Sequence, residues 1–167
     1  YKNKKKFGST KIFLPNLKFI KYMQDKFYMS QLFLTKNILV PTTYLLKDFD
    51  INNENINHVL KPRKGRGSKD VFFIKNKNEL NSFKLNKKYN SKNFIIQEKI
   101  KGMEFTVQML SDSKKKLLNI IPVLIHKKKG ITISGSINYN KKIISLCKKI
   151  HSLFPTKNAY NIQLIYN

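Results

Sequence analysis

The chain has 167 residues, 41% of them hydrophobic and 12% aromatic, which is apolar enough for one domain or two small subdomains and argues against a disordered segment. It contains no run of about 18 apolar residues, which excludes a membrane-spanning helix, and its single cysteine, Cys147, excludes an internal disulfide. The net charge of +25 points first to polyanions.

In chain order, basic residues precede Ile12, Phe13 and Leu14, but that apolar run is too short for a signal peptide and Pro15 interrupts it. The chain opens with Tyr1, so its start is expected upstream. Residues 25–36 read as a helix, with Phe27, Leu32 and Phe33 as its apolar stripe and Asn37 as its stop. Residues 38–46 read as extended around Pro41, and 48–57 as a polar loop. A short strand then enters Lys61 and Pro62, and a second strand covers Val71 to Ile74. The tip between them, RKGRGSK at 63–69, makes this a long-tipped hairpin. Asn76 caps a helix that runs to about Lys88, with Glu79 placed as in a capping box.

Residues 94–97 form a buried strand. Over Glu104 to Leu110, Phe105, Val107 and Met109 alternate with Thr106 and Gln108, which is a strand with one core face. The turn at 111–116 and the apolar run LLNIIPVLI complete a second hairpin. HKKKG and ITISGSINYN read as basic and irregular, 141–154 as an amphipathic helix, and 161–166 as a final strand. Cys147 shares the apolar helix face with Ile143, Ile144, Leu146 and Ile150, which predicts a buried, inert thiol. His58, His126 and His151 lack the spacing of a metal cluster.

The charge is almost all Lys, since Arg63 and Arg66 are the only arginines, whereas specific phosphate and base recognition leans on Arg forks. Lys is scattered among Asn, Ile, Phe and Tyr, and Ala159 is the only alanine. This bias resembles the amino-acid usage of an AT-rich genome. The aromatics fall mostly at core-periodic positions rather than on a stacking platform. A basic nucleic-acid-binding module therefore stands as the alternative reading, without a specific nucleic acid.

The loop 63–69 has glycines that let backbone amides approach an anion, flanked by cationic side chains. It is not a Walker A loop, because no Gly-Lys-Ser/Thr closes it. Four segments in order extend the pattern: QDKFYMSQLFLTKNILVPTTYLL, KPRKGRGSKDV, NFIIQEKIKGMEFTVQML and AYNIQLIY. Together they resemble the ATP-grasp family, and within it the carbamoyl-phosphate-synthase-like ligases, over about residues 10–167.

The resemblance implies an α+β, ATP-grasp fold: two β-rich subdomains with a nucleotide cleft between them. It implies the end of a preceding α/β domain at 1–22, with a last strand within 10–20. A connecting helix and linker would follow at 23–60, the small subdomain with lid and hinge at 61–128, and the start of the C-terminal subdomain at 129–167. Lys26 and Lys61 match the phosphate-binding, catalytic cations. Gly65, Arg66, Gly67 and Ser68 match the lid over the phosphates. At the hinge, Gln97 would stand near the adenine amino group, Glu98 would offer its carbonyl and Ile100 its amide. Glu104 matches the acceptor of the ribose hydroxyls, a natural role for a carboxylate facing a vicinal diol. Gln163 matches a metal-binding glutamine. The family's Glu-x-Asn metal motif would follow the last strand, and the sequence ends before it. His126 and Lys127 stand where relatives carry Arg.

The implied activity is an ATP-dependent ligase that activates a carboxylate as an acyl phosphate for attack by an amine. ATP and Mg2+ (or Mn2+) would be its cofactors, small-molecule carboxylate and amine its substrates, and the cytoplasm its compartment. A degenerate ATP-grasp domain without catalysis is the remaining alternative.

Overall fold

The computed structural model describes residues 3–50, 55–86 and 88–167. Its contacts separate the chain into two compact units: residues 22–101 with 129–131, and residues 1–21, 102–128 and 132–167. Each carries a four-stranded antiparallel sheet and its own core. The expected segments 61–128 and 129–167 both contribute strands to the second sheet.

In the first unit, helix α2 (Lys26–Leu34) begins at Asp25, whose carboxylate accepts the Tyr28 amide at 3.2 Å, satisfying one of the orphan donors of a helix start. It stops where Asn37 takes a left-handed φ of 52°, a conformation that Asn tolerates better than most residues. Strands β1 (Thr43–Leu45), β2 (Asn55–Pro62), β3 (Phe72–Asn76) and β4 (Phe94–Glu98) assemble in the order β1-β4-β2-β3. Helix α3 (Lys77–Leu85) starts at Asn76, whose side chain accepts the Glu79 amide at 2.9 Å, while Glu79 reaches back to the Lys75 amide at 2.8 Å. It lays Leu80 over one sheet face, where Leu46, Leu60, Ile74, Phe94 and Ile96 are buried and Phe49, Phe72, Phe83 and Tyr89 close the edge. Side chains alternate along a strand, so Lys61 with its register partner Ile95, and Gln97 with its register partner Thr43, lie on the opposite face.

In the second unit, strands β5 (Met103–Ser111), β6 (Leu117–Lys129), β7 (Ile131–Ile137) and β8 (Asn158–Tyr166) take the order β7-β6-β5-β8. Helix α4 (Lys141–Leu153) is capped by Asn140, which accepts the Lys142 and Ile143 amides at 2.9 and 3.2 Å. Its apolar face buries Ile143 and Cys147 against Phe105, Val107, Met109 and Ile120. Burial pushes the Cys147 thiol up to about 11, so the inert thiol expected from the helix face is what the structure holds. The sheet's other face carries Glu104, Thr106, Gln108, Asn161 and Gln163.

Several expectations fail. The polar loop expected at 48–57 gives way to β2 from Asn55, and residues 51–54 lie outside the described residues. The strand expected within 10–20 is absent; helix α1 (Leu17–Met23) occupies its C-terminal half. Thr156 Oγ1 accepts the Asn16 amide at 3.0 Å, and the Ile20 amide then bonds the Asn16 carbonyl at 3.0 Å, opening the helical turn. ITISGSINYN is not irregular: its first seven residues are β7, and HKKK continues β6. Gly135 hid that strand. A Cβ there would lie 2.6 Å from the Leu124 carbonyl oxygen, so the glycine marks a close backbone approach, not a break. The aromatics are also less uniformly buried than their spacing suggested: Phe13, Phe73 and Tyr139 are mostly exposed.

Candidate active site

The expected site residues fall in both units. In the first, Lys61 and Gln97 meet on the sheet face away from α3. Lys61 Nζ donates to Gln97 Oε1 at 2.6 Å, and Gln97 Nε2 donates to Thr43 Oγ1 at 2.7 Å. An ammonium can only donate, so it must face the amide oxygen, which fixes the orientation of the Gln97 amide. Thr43 in turn donates to the Pro41 carbonyl at 2.7 Å. A polar row thus crosses β1, β4 and β2 with its donors and acceptors matched.

Lys26 stands one residue inside α2 and turns to the base of the 63–69 loop. Its Nζ donates to the carbonyls of Pro62, Arg63 and Gly65 at 3.2, 3.4 and 3.0 Å. Burial lowers its pKa, and the neighbouring Asp25 carboxylate opposes that shift. Gly65, Arg66, Gly67 and Ser68 are all exposed, and Gly67 and Ser68 take left-handed φ values of 70° and 55°. Gly130 lies against this loop: a Cβ there would meet the Gly67 carbonyl oxygen at 2.8 Å.

Glu98 accepts the Thr42 amide and hydroxyl at 3.3 and 3.1 Å, and its own amide donates to the Thr42 carbonyl at 3.0 Å. Ile100 is half-buried in the connector that follows β4.

In the second unit, Glu104 and Gln163 share the sheet face away from α4. Glu104 stands opposite Ile165 and Gln163 opposite Thr106, so the two are diagonal neighbours across β5 and β8. Glu104 forms an exposed ion pair with Lys128. Gln163 is exposed, and among the described residues its side chain has no hydrogen-bond partner. Gly102 sets the start of β5, where a Cβ would lie 2.5 Å from the Tyr166 carbonyl oxygen.

Sequence reasoning assigned no role to Asp25, Arg63, Thr42, Thr43 or Lys128. One signal for Asp25 was present: an acid directly before a helix is a capping residue. With only 9 acidic residues against 34 basic ones, each acid was also a candidate for a specific partner. As for metals, Gln163 offers a single amide oxygen, and no group of three His, Cys, Asp or Glu residues gathers among the described residues. A divalent ion needs about six oxygen ligands, usually with carboxylates among them. The residues present do not make up a magnesium site.

Residues 23–167 match the ATP-grasp domain family. Over 138 residues the chain is 32% identical to the D-alanine–D-alanine ligase of Petrotoga mobilis, covering 75% of this chain and 46% of that protein. Solved structures share the fold at lower identity. The D-alanine–D-alanine ligase of Bacillus anthracis superposes with a TM-score of 0.67 at 18% identity, covering 91% of this chain and 55% of that one. The Aspergillus clavatus carboxyaminoimidazole ribonucleotide synthase, complexed with ATP, superposes with a TM-score of 0.70 at 13% identity, covering 89% and 42%. The chain spans about half the length of the relatives it matches. With its residues 23–167 matched and a relative at 32% identity over most of its length, the chain belongs to the ATP-grasp domain family.

Proposed function

We propose that this chain carries the nucleotide-binding part of an ATP-dependent carboxylate–amine ligase, of the carbamoyl-phosphate-synthase-like kind that its motifs resemble. The observation that carries the reading is the row Lys61–Gln97–Thr43 beside the loop base that Lys26 grips. It sets a matched set of polar groups next to a flexible-backbone, cation-rich turn. Lys61 and Lys26 would neutralise the inner phosphates, and the amides of Gly65, Arg66, Gly67 and Ser68 would close over them. Gln97 Oε1 keeps a second lone pair for an adenine amino group. Glu98 and Ile100 would supply the backbone carbonyl and amide that read the purine edge, and Glu104 would exchange Lys128 for the ribose hydroxyls.

The reaction has two displacements. A carboxylate oxygen attacks the γ-phosphorus of ATP, and the bond to the leaving ADP breaks. An amine nitrogen then attacks the acyl carbon, and inorganic phosphate departs with the bonding pair. The chain's own part is to hold the nucleotide and neutralise its charge. Gln163 would lend a magnesium or manganese ion a single amide oxygen, short of the set such an ion needs.

The chain's charge makes any polyanion bind somewhat, so the test is discrimination. ATP should bind more tightly than GTP, and its binding should survive about 0.2 M salt better than that of a simple polyphosphate. Equal affinity for the three, lost together on adding salt, would leave only a basic surface. In the longer protein, Lys61→Ala should lower kcat/KM by about 100-fold or more; unchanged turnover would remove Lys61 from the mechanism.

A further inference from the structure

Lys26 is not the only group that holds the base of the loop 63–69. Asp25 is buried at 7% exposure, and its two carboxylate oxygens accept Arg63 Nε at 3.2 Å and Nη2 at 2.7 Å. The same guanidinium donates through Nη1 to the Lys92 carbonyl at 3.3 Å and lies over the Phe27 ring at 5.7 Å. The Arg63 backbone is used at both ends: its amide donates to the Asn93 carbonyl at 2.9 Å, and its carbonyl accepts the Lys26 amide at 3.0 Å. Asp25 also caps α2 through the Tyr28 amide. One residue pair therefore ties together the start of α2, the entry to β4 and the first residue of the loop.

Resting on the nucleotide reading above, we propose that Asp25 and Arg63 form a clamp that positions Lys26 and the loop for the nucleotide's phosphates. The chemistry favours such a part. Lys26 spends all three ammonium hydrogens on carbonyls of Pro62, Arg63 and Gly65. A phosphate oxygen can replace one of them without moving the chain only if the loop base stays in place when that bond is given up. The bidentate Asp25–Arg63 pair, charge-assisted and largely shielded from water, supplies the holding force. Arg63 touches no phosphate in this scheme; it is a positioning residue. Only a planar fork can serve both carboxylate oxygens and the Lys92 carbonyl, so Lys at position 63 would keep the charge and lose the geometry.

The test compares ATP with adenosine, which presents the same base and ribose without phosphates, on the chain as it stands. Asp25→Asn keeps a helix cap, because Asn serves there as well as Asp, but removes the charge that holds Arg63. Arg63→Lys breaks the fork. Each should weaken ATP binding about tenfold, the effect of losing one charge-assisted hydrogen bond, and leave adenosine affinity unchanged. The double variant should be no weaker than either single one. In the free chain, both variants should speed amide hydrogen exchange across residues 63–66. Equal loss for ATP and adenosine, additive losses, or undiminished ATP binding would overturn the clamp. So would unchanged exchange at 63–66, a result that stands whether or not nucleotide binds. If the unaltered chain binds neither ATP nor adenosine, the nucleotide reading falls first and the clamp's role goes with it.

Discussion

The two sheets present two different polar faces. On the first, Lys61, Gln97 and Thr43 satisfy one another in a line across three strands, and Asp25 and Arg63 lock the adjoining loop base. On the second, Lys128 is the one partner of Glu104 among the described residues, and Gln163 stands open beside Thr106. A half-buried network with matched donors and acceptors is stiff, because each group left alone would forfeit its hydrogen bond away from water. An exposed ion pair is worth little and exchanges readily. The first face is therefore held in a fixed geometry, and on the second the Glu104–Lys128 pair is free to exchange.

The widest contrast comes from the cores beneath these faces. Phe105 is fully buried against α4, and Phe105→Ala should cost about 3–5 kcal/mol. Calorimetry combined with hydrogen exchange would show the loss centred on β5, β8 and α4. An equal loss of protection in β2 to β4 would mean that the units do not hold separate cores. Gly102→Ala comes next, at about 1–3 kcal/mol, because its φ of 156° and the Tyr166 carbonyl at 2.5 Å from the added Cβ oppose any side chain. A melting temperature equal to the parent's would show that β5 and β8 separate there without cost.

The first unit should also lose stability in two acid steps. Burial lowers the His58 pKa, and the Glu98 carboxylate opposes that only in part; His58 stands opposite Glu98 and packs on Phe49. Protonation therefore costs more in the folded chain than in the unfolded one. The stability is present above the ordinary histidine value of about 6.5 and declines as pH falls through that value toward the folded one. Burial would raise the Asp25 pKa, but the Arg63 hydrogen bond, the Tyr28 amide and the charges of Arg63 and Lys64 outweigh it and leave it below 3.8. That contribution is present above the ordinary carboxylate range and goes as pH falls through the folded value. Denaturant midpoints from pH 7 to 3 should show both steps, and His58→Gln should abolish the upper one alone. A single acid transition, unchanged by His58→Gln, would remove His58 from the account. The smallest effect is expected at the second face, where Glu104→Gln should change stability by less than about 1 kcal/mol while weakening ATP binding. A large stability loss would make that pair structural.

Much of this was legible in the sequence where local chemistry and period agreed. The apolar stripe Phe27, Leu32 and Phe33, Asn76 with Glu79, and the strict alternation Phe105-Val107-Met109 each marked an element. The four ordered segments placed Lys61 and Gln97 close enough in the fold to meet. What stayed hidden depended on distant backbone. Gly135 reads as a break until β6 runs beside it, and α1 follows from the Thr156 hydroxyl, 140 residues from Asn16. The Asp25–Arg63 clamp was hidden for the same reason: its partners are 38 positions apart, and neither residue's type implies the other. Nor could composition say which of the many lysines would find Glu104.

The central claim is that nucleotide is held by the groups around Lys61 and the connector after β4, not by the chain's diffuse positive charge. Amide chemical shifts recorded while ATP is added at about 0.2 M salt test this most directly. The account predicts saturable shifts at Lys61, residues 65–68, Gln97 to Ile100 and Glu104, with most of them lost in Lys61→Met. Weak, unsaturating shifts spread over the lysines of 114–116 and 141–149, with residues 97–100 unmoved, would contradict it.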